Sequence, residues 1–163
     1  MKPQNFLNKI ITSSQIGAEL TRLRALGPVV FTNGVFDVLH KGHVTYLAQA
    51  REHGASLVLG LNSDQSAARL GKGPDRPLNR QEDRAAVLAA LESVSLVIYF
   101  DEDTPFTLIQ SVRPDVLVKG GDYDMDKLEE AKFVRSYGGV AKALSFVSGY
   151  STTKLVQKIR ATQ

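Results

Sequence analysis

The 163-residue chain contains neither cysteine nor tryptophan. Without cysteine it has no disulfide, no thiolate metal ligand and no thiol nucleophile, a composition compatible with a reducing compartment. Aromatic residues make up only 7%, too few for a platform on which single-stranded bases stack. No apolar run approaches the roughly 18 residues of a membrane span. The first residues carry one lysine, Lys2, and no long apolar stretch, so no secretory leader is expected. Charge of one sign is also scarce: 20 Lys and Arg stand against 17 Asp and Glu, a net +3. That argues against a nucleic-acid partner, while leaving room for a local basic pocket that takes a phosphorylated small molecule.

What is present suits a globular core. Hydrophobic residues reach 43% and charged residues 23%, outside the range of disordered chains. The length corresponds to one domain, and a chain of this size buries about two-thirds of its unfolded surface.

Ile16, Leu20, Leu23 and Leu26 share a helical face behind Ser14, and Gly27-Pro28 ends the pattern. Val29-Val30-Phe31-Thr32 reads as a buried strand, as do residues 56–61, 94–100, 116–118 and 140–146. Helical patterns fill the intervals: one through Arg51, one over 80–91, and one opened by Thr104-Pro105 with proline at the first helical position. Two more cover 127–137, stopped by Gly138-Gly139, and 151–160. Residues 1–13 show no clear pattern and are expected to pack poorly. Residues 71–79 hold two glycines and two prolines and read as a loop. Asn62-Ser63-Asp64 are cap-forming residues closing the second strand. The expectation is an α/β fold: a single Rossmann-like domain, a five-stranded parallel sheet with helices on both faces. Residues 1–27 form an N-terminal segment and helix, and the sheet domain occupies 28–163. Ligands in such sheets bind outside the carboxyl ends of the strands, at a switch point in strand order.

The first strand runs into Thr32-Asn33-Gly34-Val35-Phe36-Asp37-Val38-Leu39-His40-Lys41-Gly42-His43. Neither a dinucleotide fingerprint nor a P-loop is present. Gly34 permits a tight turn that presents N–H groups, and Gly42 leaves space at a helix start. His40 and His43, three residues apart, share a helical face. A helix N-terminus with free N–H groups and two imidazoles is an anion site. Asp37 is either catalytic or a loop-bracing acceptor. A zinc site is not expected from these residues, and no H-E-x-x-H exists. Lys41 and His53 read as surface residues.

The H-x-G-H of His40 to His43, preceded by Gly34-Val35-Phe36-Asp37, resembles the hallmark of the nucleotidylyltransferase superfamily. Ser151-Thr152-Thr153-Lys154, opening the last helix, resembles its second hallmark. Further stretches are similar to the adenylyltransferase domain of ADP-heptose synthases. These are residues 58–64, Arg76-Pro77-Leu78-Asn79, Glu102-Asp103-Thr104-Pro105, residues 115–123 and Gly149-Tyr150. The similarity spans roughly residues 28–160, and the chain has no room for the sugar kinase fused to that domain in many bacteria. The glycerol-3-phosphate cytidylyltransferases share both hallmarks. They usually carry an arginine shortly before Ser-Thr-Thr, which residues 145–150 lack. Lys154 departs from the fused heptose enzymes, where asparagine is commoner.

The resemblance implies transfer of an adenylyl group from ATP to D-glycero-β-D-manno-heptose 1-phosphate, giving ADP-heptose and pyrophosphate for lipopolysaccharide core synthesis. The alternatives are a cytidylyltransferase acting on glycerol 3-phosphate or a similar polyol phosphate, and a nucleotide-binding module without catalysis. It implies catalytic roles for His40, His43 and Lys119. Thr32, Asn33, Gly34, Val35, Phe36, Gly42, Ser151, Thr152 and Thr153 would hold the nucleotide. Lys72, Arg76, Arg84, Gly120, Gly121 and Asp122 would meet the second substrate. Two anionic substrates repel each other, so cations are required where they meet. Mg²⁺ is expected on the triphosphate rather than in a protein cage. A cytoplasmic homo-oligomer, a dimer among the options, completes the expectation, with no nucleic-acid or membrane partner.

Overall fold

The computed structural model describes residues 5–71, 73, 76–145 and 149–161. The strands are β1 (Ile10–Ile11), β2 (Val29–Gly34), β3 (Ser56–Asn62), β4 (Leu96–Phe100), β5 (Val116–Gly120) and β6 (Val140–Leu144). The helices are α1 (Ile16–Arg24), α2 (Lys41–Arg51), α3 (Asp64–Arg69), α4 (Gln81–Ala89), α5 (Phe106–Val112), α6 (Glu129–Ser136) and α7 (Thr152–Arg160). All strand pairs are parallel, in the order β1-β4-β3-β2-β5-β6.

The sheet therefore has six strands, one more than expected. Ile10 and Ile11, in the stretch expected to pack poorly, pair with Val97 and Ile98 at the β4 edge. This strand joins the N-terminal segment to the same sheet. Phe146, the end of the expected last strand, lies outside the described residues, as does Lys72.

Alternation along the strands splits the core in two. Val29, Phe31, Val58, Leu96, Ile98 and Leu117 face α1, α5 and α6 through Leu20, Leu23, Ile109 and Val134. Val30, Leu57, Leu59, Leu61, Val97 and Val118 face α2 and α4 through Leu47, Ala50, Ala85 and Leu88. Burial on both faces explains why the strands read as unbroken apolar runs. No described helix is long and apolar enough to cross a membrane.

From β2 the chain steps to β3 and β4 on one side, then crosses to β5 on the other. The order thus reverses between β2 and β5. The crevice beyond their carboxyl ends is where this topology places a ligand.

Candidate active site

A cavity of about 540 Å³ opens at that crevice. The end of β2 contributes Asn33 and Gly34, the loop after it Val35 through Asp37, the start of α2 His40 and His43, and the end of β5 Lys119 and Gly120. Ser151, Thr152 and Thr153 enter from the start of α7, and Arg76 and Pro77 from the loop before α4. Segments over a hundred residues apart in sequence thus form one wall.

The loop after β2 is shaped by a ring rather than by glycine freedom. Phe36, a buried residue, has φ +48°, a conformation uncommon outside glycine and concentrated at functional sites. Its ring packs against Gly34, where a Cβ would lie 2.8 Å from Phe36 Cε2. Gly34 provides room for that ring instead of supplying the turn itself. The same ring meets His43 edge-on, with centroids 5.3 Å apart.

His40 caps α2: its Nδ1 accepts from the His43 backbone N–H at 3.4 Å. With Nδ1 accepting, the neutral ring carries its proton on Nε2, leaving a donor available. Burial holds His40 below its ordinary pKa, its backbone hydrogen bond acting the other way. The positive end of α2 also disfavours a charged ring there. The two imidazoles stack, 3.8 Å between centroids and 15° between planes. A Cβ on Gly42 would stand 3.0 Å from Tyr150 Cβ and 3.1 Å from the His40 ring, so a side chain there would displace both.

The start of α7 is fixed to the same loop. Thr152 Oγ1 donates to the Val38 carbonyl at 3.1 Å, and Ser151 Oγ accepts from Lys154 N at 3.1 Å. Two helix N-termini thus open on one cavity, each with first-turn N–H groups that the helix itself leaves unpaired.

Lys119 is buried and donates from Nζ to Asn33 Oδ1 at 2.7 Å. Burial lowers its pKa, and the Glu130 carboxylate opposes that shift. Arg76 pairs with Asp37, Nε to Oδ2 at 2.6 Å. Asp37 Oδ1 also accepts from Leu78 N and Asn79 N at 2.8 and 2.9 Å. Asp37 is therefore a brace that ties residues 76–79 to the loop after β2.

Several expected contacts turn out to be internal. The Arg84 side chain is fully buried. It donates to the carbonyls of Val35, Asn62 and Asn79 and pairs with Asp64 at 2.7 Å. Its guanidinium holds the wall from behind and does not line the cavity, which corrects the expectation of a phosphate contact. Thr32 is likewise buried, its Oγ1 hydrogen-bonded to Tyr46 Oη at 2.6 Å, and it supports rather than lines the site. Gly121 has φ +115° and donates to the Leu144 carbonyl at 2.9 Å. Neither it nor the exposed Asp122 lines the cavity.

Tyr46, Tyr123 and Tyr150 line the cavity without having been assigned there. Tyr46 lies three residues beyond His43 on the same helical face, which is a usable signal. Tyr123 and Tyr150 adjoin the motifs, but an aromatic in a loop reads equally well as core. Among the described residues no group of three His, Asp or Glu side chains could close around a metal.

A parallel sheet with two helix N-termini, two imidazoles and a buried lysine on one crevice defines a class of α/β domain whose switch-point site suits an anionic ligand. Comparison with known proteins narrows it. The chain belongs to the Cytidylyltransferase-like family, which it matches over residues 31–158, and so is a nucleotidyltransferase. It is 54% identical over 160 residues to a D-beta-D-heptose 1-phosphate adenylyltransferase from Bordetella bronchiseptica, covering 98% of this chain and 99% of that one. It is 52% identical over 152 residues to the Bifunctional protein HldE of Alcanivorax borkumensis, covering 93% of this chain but only 32% of that longer protein. Among solved structures, a lipopolysaccharide core biosynthesis protein from Thermoplasma volcanium matches with a TM-score of 0.60 and 29% identity, covering 77% of this chain and 99% of that one. A pantoate-beta-alanine ligase from Francisella tularensis shares the fold at 12% identity and a TM-score of 0.58, over 93% of this chain and 77% of that one.

Proposed function

We propose that this chain joins ATP to D-glycero-β-D-manno-heptose 1-phosphate, releasing pyrophosphate and yielding ADP-heptose. The observation that carries the reading is the convergence of His40, His43 and two helix N-termini on one cavity. The chain's identity to an adenylyltransferase of matching length supplies the sugar.

In the proposed reaction a phosphate oxygen of the sugar phosphate attacks the α-phosphorus of ATP. The bond from that phosphorus to its bridging oxygen breaks, and pyrophosphate leaves with the electron pair. No covalent enzyme intermediate is needed, so the protein's contribution is positioning and stabilisation of charge on phosphate oxygens. The N–H groups of Val35 and Phe36 and those of the first turns of α2 and α7 hold the triphosphate. His43 and the Nε2–H of His40 donate to oxygens on which charge builds. Asn33 and Gly34 form the floor, and Ser151, Thr152 and Thr153 the opposite side. Lys119, Arg76 and Gly120, which line the same cavity, are assigned to the sugar phosphate. Among the described residues the carboxylate that lines the cavity, Asp37, is engaged by two amides and Arg76, which favours a divalent ion on the phosphates rather than on the chain. Mg²⁺ bound there would neutralise phosphate charge during transfer.

The substrates of this reaction are cytoplasmic, its product supplies lipopolysaccharide core assembly, and we take the working form to be a homo-oligomer. The test is pyrophosphate release from ATP or CTP with a panel of sugar and polyol phosphates and Mg²⁺. Release with ATP and the heptose 1-phosphate alone supports the reading. Release with CTP and glycerol 3-phosphate would replace it with the cytidylyl reaction. Nucleotide binding without release under any pairing would leave a non-catalytic module.

A further inference from the structure

α6 carries an inward-facing exception. Its neighbours Glu129 and Lys132 pair in solvent at 2.6 Å, as helix-surface charges usually do. Glu130 instead is buried, 8% exposed, and pairs with the buried Lys119. Its Oε1 stands 3.7 Å from Lys119 Nζ. That separation makes an ion pair, wider than a direct hydrogen bond. Glu130 does not line the cavity, whereas Lys119 and Asn33 do.

A buried carboxylate is costly unless a partner offsets its desolvation, and here the partner is the buried lysine. The Lys119 ammonium is thus held from two directions, by the Asn33 amide of β2 at 2.7 Å and by the carboxylate of α6. We propose that Glu130 is a positioning residue for nucleotidyl transfer, holding Lys119 Nζ at the cavity wall against Asn33 so that it faces the incoming phosphates. This rests on the reading of the cavity as the transfer site.

The electrostatics agree with the geometry. Burial pushes Lys119 toward its neutral amine, and Glu130 pushes it back toward the ammonium. Of the elements packed around it, β2 presents the neutral Asn33, β6 presents Ala143 at its register, and α6 presents Glu130. His40, His43, Tyr46 and Tyr123 line the same cavity, as does the Asp37–Arg76 pair. Glu130 is the group whose field acts on Lys119. A neutral amine would attract phosphate weakly, so losing the carboxylate matters most at alkaline pH.

The test compares the full chain with Glu130→Gln, which keeps size and removes charge, and with Glu130→Asp, which keeps charge on a shorter arm. Two readouts are taken: kcat/KM against pH, and titration of Lys119 in protein carrying ¹³C at lysine Cε, its signal assigned through Lys119→Arg. In Glu130→Gln, Lys119 is expected to titrate at lower pH than in the wild type. The alkaline fall of kcat/KM moves to lower pH with it, and Glu130→Asp recovers part of the displacement. An unchanged Lys119 midpoint, or a loss of kcat/KM equal at every pH, overturns the proposal. If Glu130→Gln does not fold, the smaller displacement in Glu130→Asp decides it, absence of any displacement being the contrary result. A wild type inactive with every substrate pair would refute the transfer reading, while the lysine titration would still report on the Glu130–Lys119 link.

Discussion

The His40 and His43 rings lie nearly parallel, 3.8 Å apart at their centroids, with His40 Nδ1 turned back to accept from the His43 backbone N–H. One imidazole therefore caps the helix and orients the other, and both border the cavity. If His43 donates to a phosphate oxygen in the transition state, His43→Ala should lower kcat by about 10²–10³, as removal of one preorganised donor does. Steady-state kinetics on the folded variant check this. A loss below about threefold would remove His43 from the chemistry, being far short of that range.

The same pair fixes a protonation state. Burial at the positive end of α2 keeps His40 below its ordinary value of 6.5, so the neutral ring prevails at pH 7 with its proton on Nε2. ¹⁵N-histidine spectra should show an unprotonated Nδ1 and a midpoint under 6.5. The sign for stability follows: between the folded midpoint and 6.5 the unfolded chain binds more protons at this site. The contribution of His40 is therefore fully present above 6.5 and declines as pH falls through that window. A midpoint above 6.5, or a proton on Nδ1, would contradict the cap.

Arg84 separates two readings of one residue. Removing a fully buried guanidinium that serves three carbonyls and Asp64 leaves those groups unpaired. Arg84→Ala is expected to lower unfolding free energy by about 3 kcal/mol, measured by urea denaturation. Wild-type stability with a raised KM for the sugar phosphate would instead make Arg84 a substrate contact.

Arg84 also shows where the sequence stops being readable. A cation near a motif looks like a phosphate ligand, and only tertiary structure reveals that Val35, Asn62 and Asp64 surround it. Ile10-Ile11 escaped notice because two residues carry no period, and their pairing depends on β4 being in place. α3 was missed for a related reason. Its buried residues are only Ser66 and Ala67, so no apolar stripe marks it, although the Ser63 cap did stand out. Strands β2 to β5 were legible because each is an apolar run buried between two layers of helices, whereas β6, largely exposed at the sheet edge, was marked only by its short apolar residues after Gly138-Gly139. The loop after β2 and the start of α7 were legible because their chemistry is concentrated in short motifs. Glu130 was invisible: on α6 it has the same spelling as the exposed Glu129, and burial alone distinguishes them.

The central claim is that a nucleoside triphosphate lies across the crevice between the starts of α2 and α7, with both imidazoles at its α-phosphate. A crystal structure of the chain with a non-hydrolysable ATP analogue and Mg²⁺ tests it most directly. The account predicts α-phosphate oxygens within hydrogen-bond distance of His40 Nε2 and His43, and Thr152 or Thr153 amides on the nucleotide. A triphosphate bound elsewhere, with His40 and His43 making no contact to it, would contradict the account.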